Sequence, residues 1–255
     1  VEDINAVAAM KTYSSDDNAS DREDIHRAIN TYQNTCGLPL HVFDDSSCPT
    51  YVEYLMGFKG VFLHKHGENV GPTENSNRCM SLFKQYHEID ALILLDDDIE
   101  FLKPGWSDLY LNALSDEVQL LSFNDKEITQ SPGVPHGNYS LSQWSCGVCV
   151  TLTRQCWMKA GMYGPFPEKY GWCHIEYNWR CALLGLIPMD GFYDVPGIHN
   201  YIKISSYLGS EEKLRQIAVN WSSETVQLTV DKYFAGDQER WDKLKKINQP
   251  LRPVR

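Results

Sequence analysis

An unbroken apolar run, Ala91 to Leu95, leads directly into three consecutive aspartates, Asp96, Asp97 and Asp98. A strand with no polar face has to be covered on both sides, which places it inside a largely parallel sheet clothed by helices. The segments before it agree. Ile4 to Met10 is a second short apolar run, ended by Lys11-Thr12-Tyr13. Ile25, Ala28, Ile29 and Tyr32 recur at helical spacing in a helix expected over residues 21–35, with Gly37 beyond its end. Leu40 to Phe43 reads as a strand stopped by Asp44 and Asp45, residues 49–58 as a helix, and residues 60–64 as a strand. Gly71-Pro72 opens a helix expected to run through Tyr86. This alternation predicts an α/β domain with a mostly parallel central sheet flanked by helices.

The second half changes character. Residues 118–123 and 144–152 read as strands, 154–160 as a short helix and 174–184 as another helix. The Pro- and Gly-rich stretch 125–139 between them reads as a loop, long enough to act as a lid. The expected organisation is one domain over 1–205 and a helical tail over 206–255, ending in a basic stretch from Arg240 to Arg255. Eight cysteines, including a lone Cys146-x-x-Cys149, read as thiols, because a chain this long does not need disulfides for stability.

Charge narrows the function classes. Lys and Arg number 23 against 34 Asp and Glu, a net charge of −11. Broad nucleic-acid binding needs clustered cations and is disfavoured. The basic tail reads as a solvated helix face, with peripheral membrane contact as the functional alternative. No apolar run reaches the roughly 18 residues of a membrane-spanning helix. The compartment is read as cytoplasmic, or lumenal or secreted if a segment upstream of Val1 was removed.

Sites in parallel sheets lie at the carboxyl ends of strands. Three strands here end in polar clusters: Thr12-Tyr13, Asp44-Asp45 and Asp96-Asp97-Asp98. Crowding like charge costs free energy unless a cation compensates. No basic residue neighbours the triplet in sequence, so its carboxylates point to Mg²⁺ or Mn²⁺, the alternative being a solvated acidic turn.

At this point the chain resembles GT-A-fold glycosyltransferases, particularly family-2-like enzymes. Leu94-Leu95-Asp96-Asp97-Asp98-Ile99 followed by Pro104-Gly105-Trp106 is similar to their D-x-D region. Thr12-Tyr13 matches the polar end of the family's first strand, and Phe43-Asp44-Asp45-Ser46-Ser47 its D-D-x-S segment, where an acidic side chain reads the uracil edge. Glu68-Asn69-Val70-Gly71-Pro72 with Asn77 and Arg78 resembles the helix start near base and phosphates, although Ser76 stands at the usual arginine place and Arg78 takes its part. Trp157 to Phe166 is similar to the approach to the acceptor site, and Gly171 to Arg180 falls where inverting members carry an acidic signature, with His174 replacing the usual aspartate. Pro196-Gly197-Ile198-His199-Asn200 resembles the late histidine loop that completes metal coordination.

The resemblance implies a nucleotide-sugar-binding half over 1–110 and an acceptor-binding half over 111–205. The implied chemistry is transfer of a sugar from a nucleotide-diphosphate donor, a UDP-sugar first among them, to an acceptor hydroxyl. Thr12, Tyr13, Asp44, Asp45, Gly71, Asn77, Arg78, Asp96 and Asp97 would contact the donor. Asp96, Asp98 and His199 would hold Mn²⁺ or Mg²⁺. His174 would be the general base, with Glu176 as the other candidate; Arg180, four residues on, suits a helical ion pair with it. Trp144 and Trp172 would stack on the acceptor, core packing being the alternative fate of such rings. A glycan or another hydroxyl-bearing molecule is the expected acceptor, a modified nucleic acid included. An inert sugar-nucleotide-binding domain and a nucleotidyltransferase are the competing readings; the glycine-rich phosphate loop expected of the latter is missing from residues 4–20.

Overall fold

A computed structural model describes residues 4–125, 133–142, 145–164, 173–188 and 191–205. A six-stranded sheet forms the centre. Strands β1 (Ala6–Thr12), β2 (Leu40–Asp44), β3 (Val61–Lys65) and β4 (Ala91–Asp96) run parallel in the order β3-β2-β1-β4. β9 (Cys149–Thr153) and β6 (Leu120–Ser122) extend the sheet beyond β4 by antiparallel pairing. The sheet is therefore mostly parallel, and β1 and β4 lie in its interior as their apolar runs require. Ala8, Ala9, Met10, Leu92, Ile93 and Leu95 are all fully buried.

Helix α1 (Ala19–Thr35) starts where Asn18 accepts a hydrogen bond from the Asp21 amide at 2.9 Å, a side-chain cap on a donor the helix leaves unpaired. Its buried face is Ile25, Ala28, Ile29 and Tyr32, the predicted stripe. Tyr32 meets Phe101 of β5 (Ile99–Phe101) at 5.5 Å and Trp106 of α5 (Trp106–Ala113) at 5.8 Å, edge to face. β5 pairs antiparallel with β11 (Ile202–Ile204) in a two-stranded ribbon. The helix expected over 71–86 divides at Ser81 into α3 (Gly71–Met80) and α4 (Leu82–Gln85), after the short α2 (Pro49–Leu55).

The stretch expected to be a loop over 125–139 is partly ordered as strand. β7 (Val134–His136) and β8 (Tyr139–Ser142) form a hairpin through the Gly137-Asn138 turn, and β10 (Phe192–Asp194) joins β8. Tyr139 packs edge-on to Tyr193 at 5.5 Å, which gives this small sheet an aromatic anchor. Residues 126–132 of the lid reading and the 206–255 tail lie outside the described residues. No described helix is long and apolar enough to cross a membrane. The cysteines are free thiols, with Cys156 of α6 (Arg154–Ala160) and Cys181 of α7 (Cys173–Leu183) in sulfur contact at 3.4 Å.

Arg154 ties α6 to the chain entering β4. Its guanidinium donates to the carbonyls of Ile89 and Phe83 at 2.7 Å each and also to that of Tyr86. Arg154→Met removes all three donors and leaves the carbonyls to partial rehydration. We expect a loss of about 2–3 kcal/mol in urea unfolding, in the range for stranded acceptors; an unchanged midpoint would show the clamp to be energetically idle.

Candidate active site at the ends of β1 and β4

Register builds the centre of the site. In the β1–β4 ladder Lys11 stands opposite Asp96, and its Nζ lies 2.6 Å from Asp96 Oδ1. The triplet thus has a basic neighbour after all, supplied by the adjacent strand rather than by the sequence around it. Burial acts to lower the Lys11 pKa, but Asp96 outweighs it and the net shift is upward, so the ammonium is firmly charged. Thr12, next along β1, donates to Asp97 Oδ2 at 2.6 Å and shares a 2.8 Å hydrogen bond with the Tyr51 hydroxyl. Successive strand side chains leave on opposite faces. Asp96 and Asp97 are accordingly drawn to different partners. Burial first, and then Asp98 beside it, push the Asp97 carboxyl up to about 7.

The expected metal trio is not assembled. Asp98 offers its carbonyl to the Ser205 amide at 2.6 Å, while Ile202 stands opposite Phe101. His199 sits exposed in the 3₁₀ turn Ile198–Asn200 that leads into β11. Among the described residues, no three His, Cys, Asp or Glu side chains are grouped to hold a metal ion.

At the end of β2 the two aspartates divide their roles. Asp45 is 2% exposed and accepts from the amides of Val70 at 3.0 Å and Gly71 at 2.8 Å and from Arg78 Nη1 at 3.2 Å. It caps the start of α3 and holds the loop before it, where Gly71 takes a φ of +84°. Asp44 is buried beside it and accepts from the Ser47 amide at 3.3 Å. Burial raises its pKa, against hydrogen bonds from Ser47 that lower it. Asn77, expected to touch the donor, instead clamps the backbone of Tyr163: its Oδ1 accepts at 2.8 Å and its Nδ2 donates at 3.1 Å. Tyr13, directly beyond β1, keeps 42% of its surface exposed.

Helix α7 delivers His174 to the same place. The imidazole Nε2 lies 3.0 Å from the Ser145 carbonyl, so Nε2 carries the proton and Nδ1 keeps its lone pair. Gly147, with φ +73°, passes so close that a Cβ there would stand 2.7 Å from Nδ1. Burial lowers the His174 pKa to about 4, and Lys11 and Asp96 are near enough to act on it electrostatically. The helix start and the strand end therefore form one site.

Glu176, two residues on from His174, is held in an ion pair. It is 4% exposed, and Arg180 engages both of its oxygens, with Nε at 2.9 Å from Oε1. The same guanidinium donates to the Ala160 and Met162 carbonyls at 2.7 Å each, fastening α7 to the end of α6. The Glu176–Arg180 pair thus anchors the helix that carries His174. Trp144 and Trp172 lie outside the described residues. Sequence reasoning passed over Lys11, Tyr51 and Asp194. Lys11 had one visible signal, a lysine closing an apolar strand; the other two are made important only by folding.

Three comparisons bear on this geometry. No protein-family model matches the chain. An uncharacterised glycosyltransferase, R363, of Acanthamoeba polyphaga mimivirus is 24% identical over 208 residues, spanning 77% of this chain and 79% of the relative. The crystal structure of GalNAc-T7 with UDP, GalNAc and Mn²⁺ is similar with a TM-score of 0.54 and 13% identity, covering 95% of this chain and 54% of that one. The crystal structure of S. aureus TarS is similar with a TM-score of 0.51 and 14% identity, covering 91% of this chain and 43% of that one. The chain thus spans about half the length of these solved structures. The fold is of the GT-A type, and the mimivirus relative is named a glycosyltransferase.

Two tests follow from the geometry. Gly147→Ala forces an unfavourable positive φ, worth roughly 1–2 kcal/mol, and drives a methyl into the imidazole. We expect the His174 ring resonances to shift in NMR spectra of the folded variant; unchanged resonances would show that the close approach does not position the ring. Asp194, buried behind the site, accepts from the amides of Asn124 and Val195 at 2.8 Å each and from the Tyr110 hydroxyl at 3.0 Å. Burial nevertheless pushes its pKa up to about 7, whereas an unfolded aspartate titrates near about 3.9. Between those values the native state binds the extra proton, so this contribution to stability is present at low pH and is lost as pH rises toward 7. Denaturant unfolding across that window should show a flatter pH slope for Asp194→Asn than for the parent chain.

Proposed function

We propose that this chain, a glycosyltransferase in class, moves a sugar from a nucleotide-diphosphate donor, a UDP-sugar by preference, to an acceptor hydroxyl with inversion. The observation that carries the reading is convergence at one end of the sheet. Asp44, Arg78 and the exposed Tyr13 supply groups for a nucleoside, the Asp96–Asp98 turn lies at the end of β4, and the neutral imidazole of His174 comes from the opposite half of the fold. The fold shared with GalNAc-T7, whose crystal structure holds UDP, GalNAc and Mn²⁺, supports the same reading.

A divalent cation fits the chemistry of the triplet, with its oxygen donors and an Asp97 carboxyl raised partly by the charge of Asp98. Such ions are commonly held by one or two carboxylates, with substrate phosphates and water filling the remaining positions. A protein cage of three ligands is therefore unnecessary. Asp98 and Asp96 would hold Mn²⁺ or Mg²⁺. When bound there, the ion supplies neutralisation of charge on the leaving diphosphate. Asp97 keeps Thr12 and Tyr51 in register beneath the donor. His174, unprotonated at neutral pH, takes the acceptor proton on Nδ1 while Ser145 holds its other nitrogen. The Glu176–Arg180 pair keeps the helix that carries it in place. A nonenzymatic sugar-nucleotide binder is the second reading, favoured by the absence of an aspartate at the base position and by the sequestered Glu176.

Turnover of a panel of UDP-sugars with Mn²⁺, read as release of UDP, tests the proposal. Asp98→Ala should abolish metal-stimulated turnover while circular dichroism stays native. His174→Asn should lower the rate by about tenfold or more, the lower side of general-base contributions. Wild-type rates in both variants would remove the metal and base assignments; binding without turnover in the parent chain would establish the inert binder.

A further inference from the structure

We propose that Lys11 is a phosphate-binding residue of the donor site, its ammonium passing from Asp96 to the diphosphate of the incoming nucleotide. The inference rests on the nucleotide-sugar reading above and adds a residue outside the matched motifs. The site poses an electrostatic problem: Asp44, Asp45, Asp96, Asp97 and Asp98 gather at adjacent strand ends, and a nucleoside diphosphate is itself an anion. Its approach requires fixed positive charge at the diphosphate.

Among the described arginines, Arg78 stands at the nucleoside end of the site, 3.2 Å from Asp45, and Arg180 is joined to Glu176. Lys11 stands at the strand end itself, 2.6 Å from Asp96. An ammonium has three donors, so donating to one carboxylate does not exhaust it. The side chain is 16% exposed and that of Asp96 31%, so the pair is reachable from solvent. Cys79 of α3 and Cys173 of α7 lie near enough to act on the ammonium electrostatically. A lysine on a flexible stem can change partners, which a planar guanidinium does less readily. Asp96 then serves as the resting partner that keeps Lys11 extended toward the site.

Calorimetric titration of UDP and of uridine in the presence of Mn²⁺ separates this role from a structural one. Lys11→Met should weaken UDP binding about tenfold or more and leave uridine binding unchanged, with Lys11→Arg restoring most of the loss. UDP affinity equal to that of the parent chain, or parallel loss of UDP and uridine, would overturn the proposal. Failure of the parent chain to bind either ligand would remove the nucleotide-sugar reading itself, and the role of Lys11 with it. Should Lys11→Met not fold, reductive methylation of the parent chain followed by mass spectrometry gives an independent answer. UDP should protect Lys11 and uridine should not; equal labelling in both would count against it.

Discussion

The pairing of β1 with β4 is the constraint on which the rest depends. Both strands are apolar almost to their ends, so they can exist only in the sheet interior, and their parallel ladder sets Lys11 against Asp96. Moving the register by one residue would turn every side chain of β1 to the other face. Lys11 would then face away from Asp96, and Thr12 from Asp97. A single backbone alignment therefore determines how a crowded acidic turn finds its compensating groups.

The second half is attached to this centre by polar fasteners rather than by a continuous apolar wall alone. Asn77 grips the Tyr163 backbone, Arg154 gathers three carbonyls ahead of β4, and Arg180 joins α7 to the end of α6. Each fastener crosses between segments distant in sequence, and each satisfies backbone groups that packing would otherwise leave unpaired. They hold the start of α7, and with it His174, over the strand ends. Burial then sets the state of the groups they bring together: it keeps the imidazole neutral and raises the carboxyls of Asp97 and Asp194.

Much of this was legible beforehand. The strands at 6–12, 40–44, 61–65 and 91–96 follow from short apolar runs, and α1 from the spacing of Ile25, Ala28, Ile29 and Tyr32. The β7–β8 hairpin was missed because its residues alternate weakly and contain Pro135, which argues against an interior strand. As an exposed edge, β7 tolerates it. Glu176 shows the limit for single residues. At the sequence level it is equally a base and a helical ion-pair partner, and only the fold shows that the arginine pairing with it also fastens Ala160 and Met162.

Local chemistry thus determined the class of fold and the place of the site, because apolar runs and the carboxylates that end them are properties of contiguous residues. Roles within the site depended on contacts between residues far apart in the chain. Asp45 and Asp44 are adjacent and chemically identical, yet one caps α3 and the other turns to Ser47, since only one meets the amides of Val70 and Gly71. Ser205 and Asp98 are far apart in the chain, yet the β5–β11 register brings the Ser205 amide onto the Asp98 carbonyl. Lys11 has no motif at all, and the β1–β4 register brings it to the centre of the site. Pairing and register arise from how whole strands bury their faces, and no short stretch of sequence contains that information.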